Sequence, residues 1–158
     1  RGVLVNMAKY FDIISMEGGQ GITRKNIQEA AKEQNINFKK GDIILFHTGW
    51  TDAKLKSSPE EWGSTIPGIT NDAAVYLASL QPMAVGADTW GLGAVPPIAG
   101  DLVYYDHVTL IKENGIYILE TMNTGKLAND NVSEFMFVLG QPKIKGAVQM
   151  IINPVALW

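Results

Sequence analysis

No cysteine occurs anywhere in the chain. Disulfides, thiolate metal sites and a cysteine nucleophile are therefore excluded. Histidine is almost as scarce, with only His47 and His107, 60 residues apart. Motifs that need paired histidines at short spacing, such as H-E-x-x-H, cannot form. Charge is sparse too: 13 Lys and Arg against 16 Asp and Glu give a net charge of −3, and no basic run exceeds two residues. A nucleic-acid partner is not expected from such a surface. No apolar run approaches the roughly 20 residues needed to cross a bilayer, so no membrane partner is expected either. The G-x-S-x-G elbow and the P-loop are missing. The "GGQG" stretch at 18–21 is not followed by the strand-loop-helix context of a phosphate site.

What remains is an ordinary globular composition. The chain has 158 residues, 46% hydrophobic and 18% charged, enough to bury a core and too apolar for extended disorder. No repeat or low-complexity tract divides it, so residues 1–158 read as one domain. The chain opens on "RGVLVNMA" without an initiating Met or a signal-peptide pattern. That points to a fragment or a processed form, and leaves the compartment open with the cytoplasm favoured over the periplasm.

Strands and helices alternate in the first half. Residues 3–8 read as a buried strand. Thr23 reads as the N-cap of a helix carrying Ile27, Ala30 and Ala31, with Asn35 as its stop. Gly41-Asp42 makes a turn into the apolar strand Ile43–Thr48. Residues 51–69 form a long loop with a short helix near Pro59–Trp62. Thr70 caps a second helix, which Pro82 ends. "MAVGADTWGLGAVPP" is a short strand running into a Gly/Pro-rich loop, where α/β proteins often place function. "GIYILE", "EFMFVLGQP" and "VQMIINPVAL" are further strands, with Pro154 marking the last as an edge.

Candidate chemistry centres on "DHVTLIKENGIYILE", Asp106 to Glu120. Two geometries are open. A hairpin about Asn114-Gly115 would make His107 and Glu120 diagonal neighbours on one face, about 7–8 Å apart at the backbone. Alternatively, "HVTLI" is a helical turn and only "IYILE" is extended, which places Glu120 at a strand end. Either arrangement permits a metal ion between the two side chains. A lone histidine among apolar residues is also compatible with a hydrogen-bonded core position. Glu120 directly after "IYIL" is harder to treat as inert, because a buried carboxylate costs several kcal/mol unless paired or bound to a cation. His47, inside "LFHTGW", reads as a structural or pocket-lining residue. Trp50, Trp62 and Trp90 lie near loops and could line a pocket for a flat substrate or pack the core.

Five stretches together carry a resemblance that runs in order over nearly the whole chain: "RGVLVNMAKY", "ITRKNIQEAAKEQNINFKKGDIILFHTGW", "PGITNDAAVYLASLQPMAVGADTWGL", "HVTLIKENGIYILETMN" and "FMFVLGQPKIKGAVQMIINPVAL". They resemble the cyclase family of metal-dependent hydrolases, which includes bacterial kynurenine formamidase and isatin hydrolase. The resemblance implies an α/β fold with a mixed sheet, of the swivelling β/β/α cyclase type. This chain would be its C-terminal portion, N-terminally incomplete. It implies hydrolysis of an amide, formamide or lactam bond in a small-molecule substrate, zinc or manganese as the metal, and a homo-oligomer. The metal would lower the pKa of a bound water and polarise the carbonyl.

His107 and Glu120 match the family's histidine and acid flanking that strand. They would serve as metal ligands and as proton donor or acceptor. Trp50, Asp88, Trp90 and His47 would shape the substrate pocket. The family's His-x-x-x-His-x-Asp cluster has no counterpart here, and His47 and Gly93 stand where relatives commonly carry Arg and Glu. Two ligands fall short of the three or more that a catalytic zinc site takes. The expectation is therefore an incomplete metal site, and a chain inactive until the remaining ligands are supplied. The alternative is a non-catalytic domain of the same fold acting as a structural or oligomerisation module.

Overall fold

The computed structural model describes residues 1–158. Its frame is a six-stranded mixed sheet. β1 (Gly2–Asn6), β3 (Ile43–His47), β5 (Ala84–Ala87) and β6 (Tyr117–Leu119) run parallel; beyond β1, β7 (Glu134–Val138) is antiparallel to β1, and β8 (Val155–Leu157) is antiparallel to β7. The order across the sheet is β6-β5-β3-β1-β7-β8. Register follows the apolar pattern: Val3 pairs with Ile44, Val5 with Phe46, and Ile44 with Val85. Strands covered on both faces need such continuous apolar runs.

Between the parallel strands come the helices. α1 (Met7–Tyr10) and α2 (Arg24–Glu33) follow β1, and α5 (Asn71–Ser79) follows the segment after β3. Thr23 caps α2 through a reciprocal pair with Asn26, whose side chain reaches back to the Thr23 N–H at 2.9 Å. That satisfies two N-terminal donors at once. These helices bury Ile27, Ala30, Ala73 and Leu77 against Val3, Val5, Ile44, Phe46 and Val85. The opposite sheet face is made by Leu4, Leu45, Leu119 and Phe135. It is covered only by α7 (Gly125–Asn129), through Leu127, and by parts of the C-terminal segment.

The region between β3 and α5 is more structured than a loop. It holds α3 (Trp50–Lys54), α4 (Pro59–Ser64) and β4 (Gly68–Ile69), which pairs in parallel with β2 (Gly21–Ile22). Gly68 permits this: a Cβ there would stand 2.4 Å from the Gly93 carbonyl carbon, so only glycine lets the Gly-rich loop dock on β4.

Other elements differ from their sequence reading. β1 ends at Asn6, whose side chain accepts from the Lys9 N–H at 2.8 Å and turns Met7 and Ala8 into α1. The C-terminal strand shortens to β8, directly after Pro154, on the sheet edge. Between β5 and β6 no hairpin forms. α6 (Tyr105–His107) continues into a π-helical turn, Val108–Glu113, and Asn114 caps that turn by donating to the Thr109 carbonyl at 2.7 Å.

Candidate active site

Parallel strands aim their C-terminal ends at one edge of the sheet, where α/β proteins bind ligands. His47 ends β3, Asp88 follows β5, and Glu120 follows β6. Two hydrogen bonds fix the Glu120 end against its neighbour: Thr121 N–H to the Thr89 carbonyl at 2.7 Å, and Met122 N–H to the Ala87 carbonyl at 2.9 Å.

The π-helical turn carries His107 toward the same edge. Leu110, wholly buried, anchors that turn in the core, and Ile116 N–H closes it on the Leu110 carbonyl at 2.8 Å. His107 Nε2 then lies 3.6 Å from Glu120 Oε1, and Nδ1 lies 3.1 Å from Asp106 Oδ2. The Tyr104 ring meets the imidazole edge-on at 5.7 Å. Asp106 first, then Glu120, holds the proton on the ring against partial burial, and the imidazole pKa is pushed up from 6.5 to about 10. At neutral pH the ring is an imidazolium between two carboxylates.

The pair stands between two cavities. One of about 310 Å³ is lined by His107, Asp106, Trp90 and a mostly apolar wall. The other, about 210 Å³, lies on the thinly covered sheet face and is lined by Glu120, Leu45, Thr124 and Ile152. No group of three or more His, Cys, Asp or Glu side chains is placed to hold a metal. His107 and Glu120 contribute two donors suited to zinc or manganese, fewer than a catalytic site requires.

Of the four remaining candidates, three sit elsewhere. Asp88 is buried, and its carboxylate accepts from Thr48 N–H at 2.8 Å, Thr48 Oγ1 at 2.7 Å and Gly49 N–H at 2.9 Å. Burial pushes its pKa up, opposed by His47 and by the Thr48 bonds. With its lone pairs taken, Asp88 pins the turn from β3 into α3 and lines neither cavity. That turn needs Gly49, which has φ +76° and packs where a Cβ would meet the Ile14 carbonyl oxygen at 2.3 Å. His47 Nδ1 lies 2.8 Å from Thr124 Oγ1 and 3.7 Å from Asp88 Oδ2, also inside the protein. Trp50 is fully buried, with the Lys54 ammonium over its ring, and lines neither cavity. Trp90 alone among these four faces the 310 Å³ cavity, its indole N–H held by the Trp62 carbonyl at 2.7 Å.

Asp106 is the site residue that sequence reasoning passed over, although it opens the stretch in which His107 was singled out. Neighbours i and i+1 on a regular helix point apart. Here Tyr104, at φ +57°, starts the helix abruptly, and the two side chains meet.

Comparison with known proteins places this geometry. Residues 1–94 match the model of the Cyclase family, described as "Putative cyclase". A crystal structure of a novel cyclase is similar over 99% of this chain, with a TM-score of 0.83 and 26% identity, and the match covers 52% of that chain. Isatin hydrolase A from Ralstonia solanacearum is similar over 98% of this chain (TM-score 0.78, 19% identity, 58% of that chain). A potential metal-dependent hydrolase with cyclase activity is similar over the same share (TM-score 0.68, 19% identity, 62% of that chain). This chain thus spans between about half and three-fifths of the length of those structures. No curated protein matches the sequence.

Proposed function

The chain belongs to the cyclase family, and from that footing we propose that it forms part of a metal-dependent hydrolase. The bond attacked is an amide, formamide or lactam bond in a small molecule. The observation that carries this reading is the His107 to Glu120 approach at 3.6 Å, at the C-terminal edge of the parallel strands. Names of the similar structures, a metal-dependent hydrolase and an isatin hydrolase, support the reaction class.

In this reading the carboxylate and imidazole handle protons. Glu120 accepts a proton from the attacking water, and the imidazolium of His107 donates one to the leaving nitrogen. Asp106 holds the ring by Nδ1, so that Nε2 faces Glu120 and the reacting bond. Zinc or manganese, when bound, would supply a more acidic water and a polarised carbonyl. The two donors here do not hold such an ion unaided, so its other ligands belong to polypeptide outside these 158 residues. A homo-oligomer is part of the same proposal.

That two-donor count also favours a second reading, a non-catalytic domain of the cyclase fold. Elemental analysis for zinc and manganese, with turnover of an aryl formamide and of isatin, separates the two. Both are measured on the 158-residue chain and on the same chain joined to a His-x-x-x-His-x-Asp segment. Metal uptake with turnover in the joined protein, lost in Glu120→Gln, supports the hydrolase. No metal and no turnover in either form overturns it.

A further inference from the structure

The cavity beside His107 has a chemical bias of its own. Its wall is apolar through Ile69, Leu92, Val95 and Tyr104, and no Lys or Arg lines it. Into this wall is set the carboxylate of Asp106, a residue only 6% exposed. Oδ2 has the His107 ring at 3.1 Å, and no other protein group donates to the carboxylate. Gly93 opposes Oδ1: a Cβ there would stand 3.3 Å from it, so the absence of a side chain leaves that oxygen facing the cavity. The second carboxylate of the wall, Asp101, is engaged by Asn71 N–H at 3.0 Å. Asp106 Oδ1 thus has no protein donor and keeps only its narrow opening onto the cavity, where a ligand can supply the missing bond. An arriving N–H group makes that bond, whereas an arriving anion meets the carboxylates of Asp106 and Asp101, which the single His107 imidazolium, already shared between Asp106 and Glu120, offsets only in part.

We propose that this cavity, of about 310 Å³, receives a flat apolar group of the substrate. We further propose that Asp106 selects a ring bearing an N–H donor or an ammonium over one bearing an anion. The volume lies at the lower end of small-molecule sites and suits one substituted ring. The assignment rests on reading His107 and Glu120 as the reaction centre, since the cavity opens beside them.

Three probes of one size and different charge test it without metal or turnover: benzylammonium, benzyl alcohol and benzoate. Binding to the folded chain is measured by calorimetry and by the fluorescence of Trp90 in the cavity wall. The expected order is benzylammonium, then benzyl alcohol, then benzoate, with about tenfold or more between first and last. Asp106→Asn should bring the three within about twofold of one another. Gly93→Leu, which fills the space before Asp106, should weaken all three. Circular dichroism confirms that both variants are folded. Benzoate binding as well as benzylammonium, an order unchanged in Asp106→Asn, or no binding by any probe would each overturn the assignment. Failure of turnover with the order intact would instead overturn the hydrolase reading and leave this site standing.

Discussion

One imidazole between two carboxylates governs the candidate site at the level of single residues. Because the pKa of His107 is raised from 6.5 to about 10, its charged contacts stabilise the fold fully below about pH 6.5. They are lost as pH climbs toward 10. Removing either acid should lower the titration midpoint. Asp106→Asn should lower it more than Glu120→Gln, since Asp106 makes the larger contribution. Nitrogen-15 NMR of the imidazole reads this directly, and equal midpoints in all three proteins would contradict it. Asp42 has the opposite sign. Burial pushes its carboxyl up, but Arg1 at 2.8 Å and the Lys39 N–H at 2.7 Å outweigh that and leave it below the ordinary 3.8. Its contribution is present above pH 3.8 and fades as pH falls. Arg1→Ala should therefore destabilise the protein at neutral pH and flatten its acid sensitivity in urea titrations.

At the scale of elements, two substitutions test how the site is held. Asp88→Ala removes the acceptor of the Thr48 and Gly49 donors and frees the turn from β3 into α3. Orphaning buried N–H groups should cost about 3 kcal/mol, measured as a shift of the urea midpoint. Asp88→Asn should recover part of it. Within the π-helical turn, Thr109 Oγ1 is the one buried side-chain polar atom without a partner. Thr109→Val should leave stability unchanged or raise it by about 1 kcal/mol, because a hydroxyl with no partner contributes only its desolvation cost. A marked loss would mean that the hydroxyl has a role the fold does not reveal. Gly86 in β5 works the other way. A Cβ there would lie 2.4 Å from the Leu119 carbonyl oxygen. Gly86→Ala should thus push β6 away, cost about 2 kcal/mol, and carry Glu120 off its approach to His107.

Considered whole, the molecule is lopsided. Helices seal one face of the sheet, while the other is covered only by α7 and C-terminal chain. The C-terminal segment carries Val148 and Ile151 almost fully in solvent, and Met136 and Leu157 are more than half exposed on β7 and β8. Apolar groups gathered this way favour association, and the outer edge strand offers unpaired backbone groups. We expect sedimentation velocity to give a homo-oligomer at micromolar concentration. Val148→Asp with Ile151→Asp should shift it toward monomer. A strictly monomeric parent would refute the expectation.

Local chemistry carried the frame. Thr23, Asn35, Gly41 and Pro154 stop or start elements where a side-chain cap, positive φ or a missing donor dictates it, and the apolar runs of β1, β3 and β5 set the sheet; Thr70 stands at the N-cap of α5 without a side-chain capping bond, its hydroxyl turned to the Ile22 carbonyl and to Asp72. These signals act within a few residues, so the sequence by itself determined an α/β domain with His107 and Glu120 on either side of an apolar strand, which the fold places at the sheet edge with Tyr117 exposed. Whether those two side chains meet depends on how many turns separate them. Asn114-Gly115 is as good a hairpin corner as a helix end, and only the packing of Leu110 into the core chose the helical form. The same holds for the carboxylates. Asp88 and Asp106 are indistinguishable as letters beside a functional loop. Tertiary structure surrounded one with donors and left the other facing a cavity, because hydrogen bonds across distant segments are settled by the closed fold alone.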